Sequence, residues 1–261
     1  MVAAMAAPSP GPELADAELD RYARHLILRE IGGVGQRRIR GATVLVIGVG
    51  GIGTPAIQYL AAAGIGRLRI VDDDRVDLSN LQRQILFGDA AVGARKVDAA
   101  AAAIARLNPG VAVDAHAIRA DAATLPALLG GVDAVIDGSD NFATRLAVAD
   151  AAHAARVPLV SAAIGGFEGQ VALYRGWETG RPCYRCVVGN DPARADTSCA
   201  DQGVLGATAG VVGTLAAVEA LRAIHPFGED SVGKLLLVDL LGWRFRTLSV
   251  PADPACPTCA G

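Results

Sequence analysis

Lysine is almost missing from this 261-residue chain: of its 24 basic residues only Lys96 and Lys234 are lysines. With so much alanine beside it, this bias fits a GC-rich genome, and it makes a surviving lysine informative. Net charge is scarce too. At −3 the chain has no basic excess, so it lacks the electrostatic footprint expected of a nucleic-acid binder. Residues 1–18 contain no basic side chain, and Pro8, Pro10 and Pro12 break their apolar run. A secretory signal needs both a basic start and an unbroken apolar stretch. The segment 1–18 therefore reads as a disordered tail, and the expected location is cytoplasmic. Two stretches, 41–66 and 202–218, have no charge at all. The first carries Gly48, Gly50, Gly51, Gly53 and Pro55 in its middle, which suits a strand, a turn and a helix. The second is borderline short and rich in small residues, so it reads as a core helix rather than a span. No membrane partner is expected.

What is present is an alternation of strand and helix signals. Half of the residues are apolar, 52%, enough for one large α/β core. Leu19, Tyr22, Leu26 and Ile27 stand at helical spacing, so a helix is expected over 20–29. Strands follow at 42–47, 67–71, 111–115, 133–137 and 159–162. Helices are expected at 54–63, 96–107, 122–129 and 145–155. This order argues for a Rossmann-like, doubly wound α/β fold with a largely parallel sheet. Beyond it come a strand at 169–174, a long polar loop at 176–202, a helix at 204–224 and a hairpin from 235–239 and 243–250. They form a C-terminal antiparallel extension, and 19–261 reads as a single domain. A loop of that length inside a compact domain is usually functional or disordered.

Gly48-Val49-Gly50-Gly51-Ile52-Gly53 lies directly after one strand and before a helix. Gly48 allows a tight turn, Gly50 lets backbone N–H groups approach a phosphate, and the helix N-terminus adds positive potential. Asp72 ends the next strand, where a carboxylate can take the two hydroxyls of a ribose. This motif alone does not separate NAD from ATP, and an NAD-dependent oxidoreductase is the alternative it leaves open. The next residues narrow the choice. Asp72, Asp73 and Asp74 are adjacent and Arg83 follows soon after, a set that suits a triphosphate with magnesium. Lys96 is a compact point charge in a chain that otherwise uses arginine. Asp140 lies just past a strand, at the carboxyl edge of the sheet where ligands of such folds bind.

The cysteines form a second constellation. Cys183 and Cys186 make one C-x-x-C pair, and Cys256 and Cys259 make another. Two thiolate pairs can close a structural zinc site, with no open position for water. A redox pair is the rival reading, and two pairs speak against it. Cys199 is left over. It is either a small buried thiol or a nucleophile on the long loop.

Taken together, Arg21-Tyr22-Ala23-Arg24-His25, the glycine motif, Ser79-Asn80-Leu81-Gln82-Arg83-Gln84, Asp140-Asn141 and both C-x-x-C pairs resemble the MoeB/ThiF/HesA family, over nearly the whole chain from Arg21 to Cys259. That resemblance implies an adenylation domain. It would act with ATP on the C-terminal glycine carboxylate of a ubiquitin-like sulfur-carrier protein ending in diglycine, for molybdopterin or for thiamine or another sulfur-transfer route. It implies that Asp72 binds the ribose, that Asn80, Arg83 and Lys96 hold the triphosphate, and that Asp140 coordinates magnesium. It also implies that Arg24 reaches into the neighbouring subunit's site, hence a homodimer. Cys199 matches a cysteine used for sulfur or acyl transfer in some relatives. The segment 165–170 and the long loop are expected to line a narrow channel for the carrier tail. With no sulfurtransferase domain in the sequence, a separate sulfur donor protein is expected.

Overall fold

The computed structural model describes residues 11–189 and 203–260. Its centre is one eight-stranded sheet in the order β3-β2-β1-β4-β5-β6-β7-β8. The first five strands are β1 (Thr43–Ile47), β2 (Arg67–Val71), β3 (Ala112–His116), β4 (Ala134–Asp137) and β5 (Leu159–Gly165), and they run parallel. The last three, β6 (Glu168–Tyr174), β7 (Lys234–Asp239) and β8 (Arg244–Ser249), pair antiparallel. The expected parallel sheet with an antiparallel extension is therefore present.

β1 shows why the sequence folds this way. Its residues Thr-Val-Leu-Val-Ile form an uninterrupted β-branched and aliphatic run, as a strand covered on both faces requires. Successive side chains point to opposite sides. Val44 and Val46 pack with Ile57, Leu60, Ile104 and Val212 on one face. Leu45 and Ile47 pack with Leu125, Leu146 and Tyr184 on the other. Each fully buried aliphatic side chain of this kind contributes roughly 1.5–3 kcal/mol relative to exposure.

The first face is covered by α3 (Gly32–Gly41), α4 (Gly53–Ala62), α5 (Lys96–Leu107) and a long helix, α9 (Gly206–Ile224). The second face is covered by α6 (Leu125–Leu128), α7 (Phe142–Ala155) and α8 (Tyr184–Val188). α9 is long and apolar enough to cross a membrane by length and composition. Here it packs against α4, β5 and β6, the role of a core helix.

Three expected elements differ. The helix over 20–29 is two short helices, α1 (Asp16–Arg21) and α2 (Ala23–Leu26), with the break at Tyr22. Of the four spaced hydrophobic residues only Tyr22 is buried; Leu19 and Ile27 are exposed. Tyr22 is drawn inward because the buried Asn108 donates a 2.8 Å hydrogen bond to its hydroxyl. α1 also begins inside the segment expected to be a tail, and Glu18 is ion-paired with Arg40. The helix over 122–129 shrinks to one turn, since Asp121 accepts the N–H groups of Ala123 and Thr124 and holds a loop there. Finally, α8 lies inside the long loop expected at 176–202.

Candidate functional site

The helices after β1 and β4 lie on opposite faces of the sheet, so a crevice opens between the carboxyl ends of these two adjacent strands. A cavity of about 450 Å³ fills it. Its floor is the glycine turn. Gly48 has a φ of +85°, a conformation that side chains other than glycine rarely adopt. A Cβ on Gly53 would lie 1.9 Å from the Gly48 carbonyl oxygen, so Gly53 is needed for the turn to close onto α4.

Asp72 ties this turn to the end of β2. One carboxylate oxygen accepts the Val49 N–H at 2.7 Å and the other accepts the Asp74 N–H at 2.8 Å. Burial raises its pKa against the lowering effect of Lys96. Lys96 is only 6% exposed, which rules out a solvated surface lysine. Its Nζ lies 2.7 Å from Asp74 and 3.9 Å from Asp72. Asn80 and Arg83 reach the cavity from the segment after β2, where Asp77 and Asn80 cap each other around a single 3-10 turn. Asp140 enters from the turn after β4. Gly48, Gly50, Gly51, Asp72, Asn80, Arg83, Lys96 and Asp140 thus share one cavity.

The adjacent carboxylates of Asp72, Asp73 and Asp74 are close enough together to hold a cation. Asp72 already spends both oxygens on backbone N–H groups, and Asp74 is paired with Lys96. Among the described residues, Asp140 has only a long 3.5 Å contact from the Asn141 amide. Asp73 and Asp140 are thus, among the described residues, the cavity carboxylates without a short hydrogen bond or ion pair, the two that could take a cation.

The two C-x-x-C pairs come together although 73 residues separate them. Their Sγ atoms lie 3.5 Å apart for Cys183 and Cys256, 3.4 Å for Cys186 and Cys259, and 3.9 Å for Cys183 and Cys186. A tetrahedron with zinc–sulfur bonds of about 2.3 Å has sulfur–sulfur edges of about 3.8 Å, so the donor set fits zinc. Burial pushes the Cys183 thiol up. At Cys256 burial is outweighed by the N–H groups of Thr258 and Cys259, which bring the thiol down to about 7. The Asp253 N–H also donates to the Cys186 sulfur at 3.4 Å.

Residues 22–258 match the family model described as the ThiF family. The chain belongs to the ThiF family. Among curated relatives, the sulfur carrier protein adenylyltransferase of Thermus thermophilus is 45% identical over 247 residues, covering 93% of this chain and 91% of the relative. The molybdopterin-synthase adenylyltransferase of Escherichia coli is 40% identical over 247 residues, covering 95% and 98%. The solved structure of E. coli MccB with ATP aligns with a TM-score of 0.80 at 23% identity, covering 92% of this chain and 75% of that one, a likeness of fold.

Within this ThiF-family fold, Arg24 is not part of its own chain's cavity. It sits exposed on α2. Its neighbours are firmly held: Tyr22 by Asn108, His25 by the buried Gln36 at 2.9 Å, and Arg21 by the Leu107 carbonyl. Cys199 lies outside the described residues. Of the segment expected to line a channel, residues 165–170 are the tip of the β5–β6 hairpin, with 166–167 as its turn, and Ile164 just before it lines the cavity. Gly166 exchanges hydrogen bonds with Gly203 and Leu205, placing the end of the long loop beside this turn.

Sequence reasoning missed Gln84 and Arg145, both of which line the cavity. Gln84 is buried, and among the described residues its Oε1 has no hydrogen-bond partner. It closes the Ser79–Gln84 motif, which was the available signal. Arg145 carries no motif of its own.

Proposed function

We propose that this chain adenylates the C-terminal glycine carboxylate of a ubiquitin-like sulfur carrier and releases pyrophosphate, in the route to molybdopterin. It is an adenylyltransferase acting on sulfur-carrier proteins, the activity named for relatives that align along almost the entire chain. The single observation that carries the reading is the buried Lys96 beside the glycine turn, in one cavity with Arg83 and Asp140. A nicotinamide site would use the turn and Asp72 but leave those three residues and the cysteine cluster without a role.

In this reading ATP lies over the turn, with its ribose at Asp72 and its phosphates toward Asn80, Arg83 and Lys96. The carrier carboxylate is already ionised near pH 7, so no general base is required. One of its oxygens attacks the α-phosphorus. The bond from that phosphorus to the departing pyrophosphate oxygen breaks, and an acyl-adenylate remains. Lys96 exchanges Asp74 for the phosphates, and Arg83 adds a second cation where negative charge is displaced. Bound magnesium would supply further positive charge, with Asp140 as its protein ligand. Zinc on the four cysteines would fasten the C-terminal segment to α8. Arg24 would serve the site of a second copy, which makes the homodimer the working unit. Sulfide-level sulfur from a separate donor protein then attacks the acyl carbon, the bond from that carbon to the AMP oxygen breaks, and AMP leaves a thiocarboxylate behind.

The broader name of the Thermus relative favours a second reading of the pathway, in which the carrier serves thiamine or another sulfur-containing product. Mass spectrometry of diglycine-ended carriers after incubation with protein, ATP and magnesium tests both. A gain of one AMP on the molybdopterin carrier alone supports the first reading. A gain on a different carrier supports the second, and no gain on any carrier contradicts adenylation.

A further inference from the structure

The helix that carries Arg24, α2, is a single turn of four residues. A helix that short has no stability of its own, so whatever holds α2 also decides where Arg24 stands. Two buried amides hold it, one on each side of Arg24. Gln36, on α3, is fully buried. Its Nε2 donates to the Ala63 carbonyl at 2.8 Å, and its Oε1 lies 2.9 Å from Nδ1 of His25. A carbonyl only accepts, which fixes the orientation of this amide and makes His25 the donor at Nδ1. On the other side, Asn108 donates one amide hydrogen to the Tyr22 hydroxyl at 2.8 Å and the other to the Ala61 carbonyl at 2.7 Å. The Tyr22 ring lies over Gly64, where an added Cβ would come within 2.3 Å of it. Ala61, Ala63 and Gly64 all lie at the C-terminal end of α4, a helix of ten residues that starts at Gly53 of the glycine turn. Roughly 15 Å of helix separates these anchors from that turn. Arg24 therefore hangs from the far end of α4, exposed and outside the cavity of its own chain.

We propose that His25 and Gln36 are positioning residues for Arg24: they hold α2 to the end of α4, so that Arg24 enters the cavity of a second copy in one fixed place. The inference rests on the proposed reading in which Arg24 serves that second cavity. Its physical basis is the low tolerance of catalytic geometry, where a shift of about 1 Å in a positioned group costs on the order of 100-fold. The competing explanation is that Gln36 serves the fold alone, as a buried amide whose partners would be costly to leave unpaired. The two explanations differ in which cavity suffers when Gln36 is lost. Through α4, the loss would disturb the cavity of the same chain. Through Arg24, it would disturb the cavity of the other copy and leave its own intact.

The test is the initial rate of acyl-adenylate formation by the full chain on a diglycine-ended carrier that the wild-type chain loads with AMP. Melting temperature is recorded alongside. Gln36→Leu removes both hydrogen bonds and keeps the bulk of the side chain. Its rate should fall between about tenfold and 100-fold. In an Arg24→Ala background the same change should cause no further fall, because the residues act in series. His25→Phe should match Gln36→Leu, and His25→Asn, which keeps a donor where Nδ1 stands, should retain most of the rate. Mixed dimers decide between the two explanations. Gln36→Leu subunits are combined in equal amounts with Asp140→Ala subunits, with exchange verified. In the mixed dimer the Gln36→Leu subunit keeps its own Asp140 and receives Arg24 from a subunit whose Gln36 is intact. About one quarter of wild-type activity should return, as random pairing requires, whereas a defect in the subunit's own cavity would leave less than about one tenth. The proposal is overturned if Gln36→Leu keeps the rate, if it lowers the rate equally in both backgrounds, or if its mixture is not rescued while Arg24→Ala with Asp140→Ala is. Should Gln36→Leu fail to fold, His25→Phe takes its place in every arm, with the same expectations and the same refutations. If the mixture of Arg24→Ala and Asp140→Ala is itself not rescued, the reading of Arg24 fails, and this inference falls with it. If the wild-type chain loads no carrier, the adenylation reading fails first and takes both with it.

Discussion

Single side chains decide the chemistry here, and two of them give separable expectations. Asp140→Ala removes a carboxylate that makes no ion pair among the described residues, so the fold should survive and adenylation should nearly vanish. Retention of most activity, with an unchanged melting temperature, would sink the magnesium assignment. Lys96→Met keeps the length of the side chain and deletes its charge from a buried position. The rate of acyl-adenylate formation should drop on the order of 100-fold, the usual cost of losing one charged donor in such a site. A drop below about threefold would return Lys96 to a structural partner of Asp72 and Asp74. At this scale the sequence revealed the residues that belong to motifs and missed those that do not. Lys96 stood out because lysine is so scarce, whereas Arg145 is one of many arginines and its importance comes from a carbonyl it meets across a turn.

Elements carried their signal where both faces are buried. β1 and α5 appear where the hydrophobic pattern places them, because a continuous apolar run and an alanine-rich helical run leave few alternatives. The N-terminal segment was misread because periodicity alone cannot say which spaced residue has a partner. Tyr22 has one in Asn108, and the helix breaks to let it in. Tyr22→Phe should therefore cost about 1 kcal/mol, the net worth of one buried hydrogen bond. For a chain of this size that is a fall of about 2–4 °C in melting temperature. An unchanged melting temperature would mean that ring packing alone anchors α1 and α2. The cysteine pairs were legible as pairs. Their meeting was not, since it depends on β7 and β8 carrying the chain's end back to α8.

At the scale of the whole molecule, the fold gathers the candidate cavity at the carboxyl ends of the central strands and leaves Arg24 outside it. If Arg24 completes the site of a second copy, two inactive variants should rescue each other. Mixing equal amounts of Arg24→Ala and Asp140→Ala subunits, with exchange allowed, gives mixed dimers holding one intact site each. About one quarter of wild-type activity should return, as random pairing in a two-fold dimer requires. Absence of rescue, with exchange verified, would place Arg24 outside the site of the second copy. The most direct measurement of the central claim is isotope exchange between pyrophosphate and ATP. Purified protein should catalyse it only when both magnesium and a diglycine-ended sulfur carrier are present. No exchange with any such carrier, alongside turnover of a reduced nicotinamide, would contradict the account.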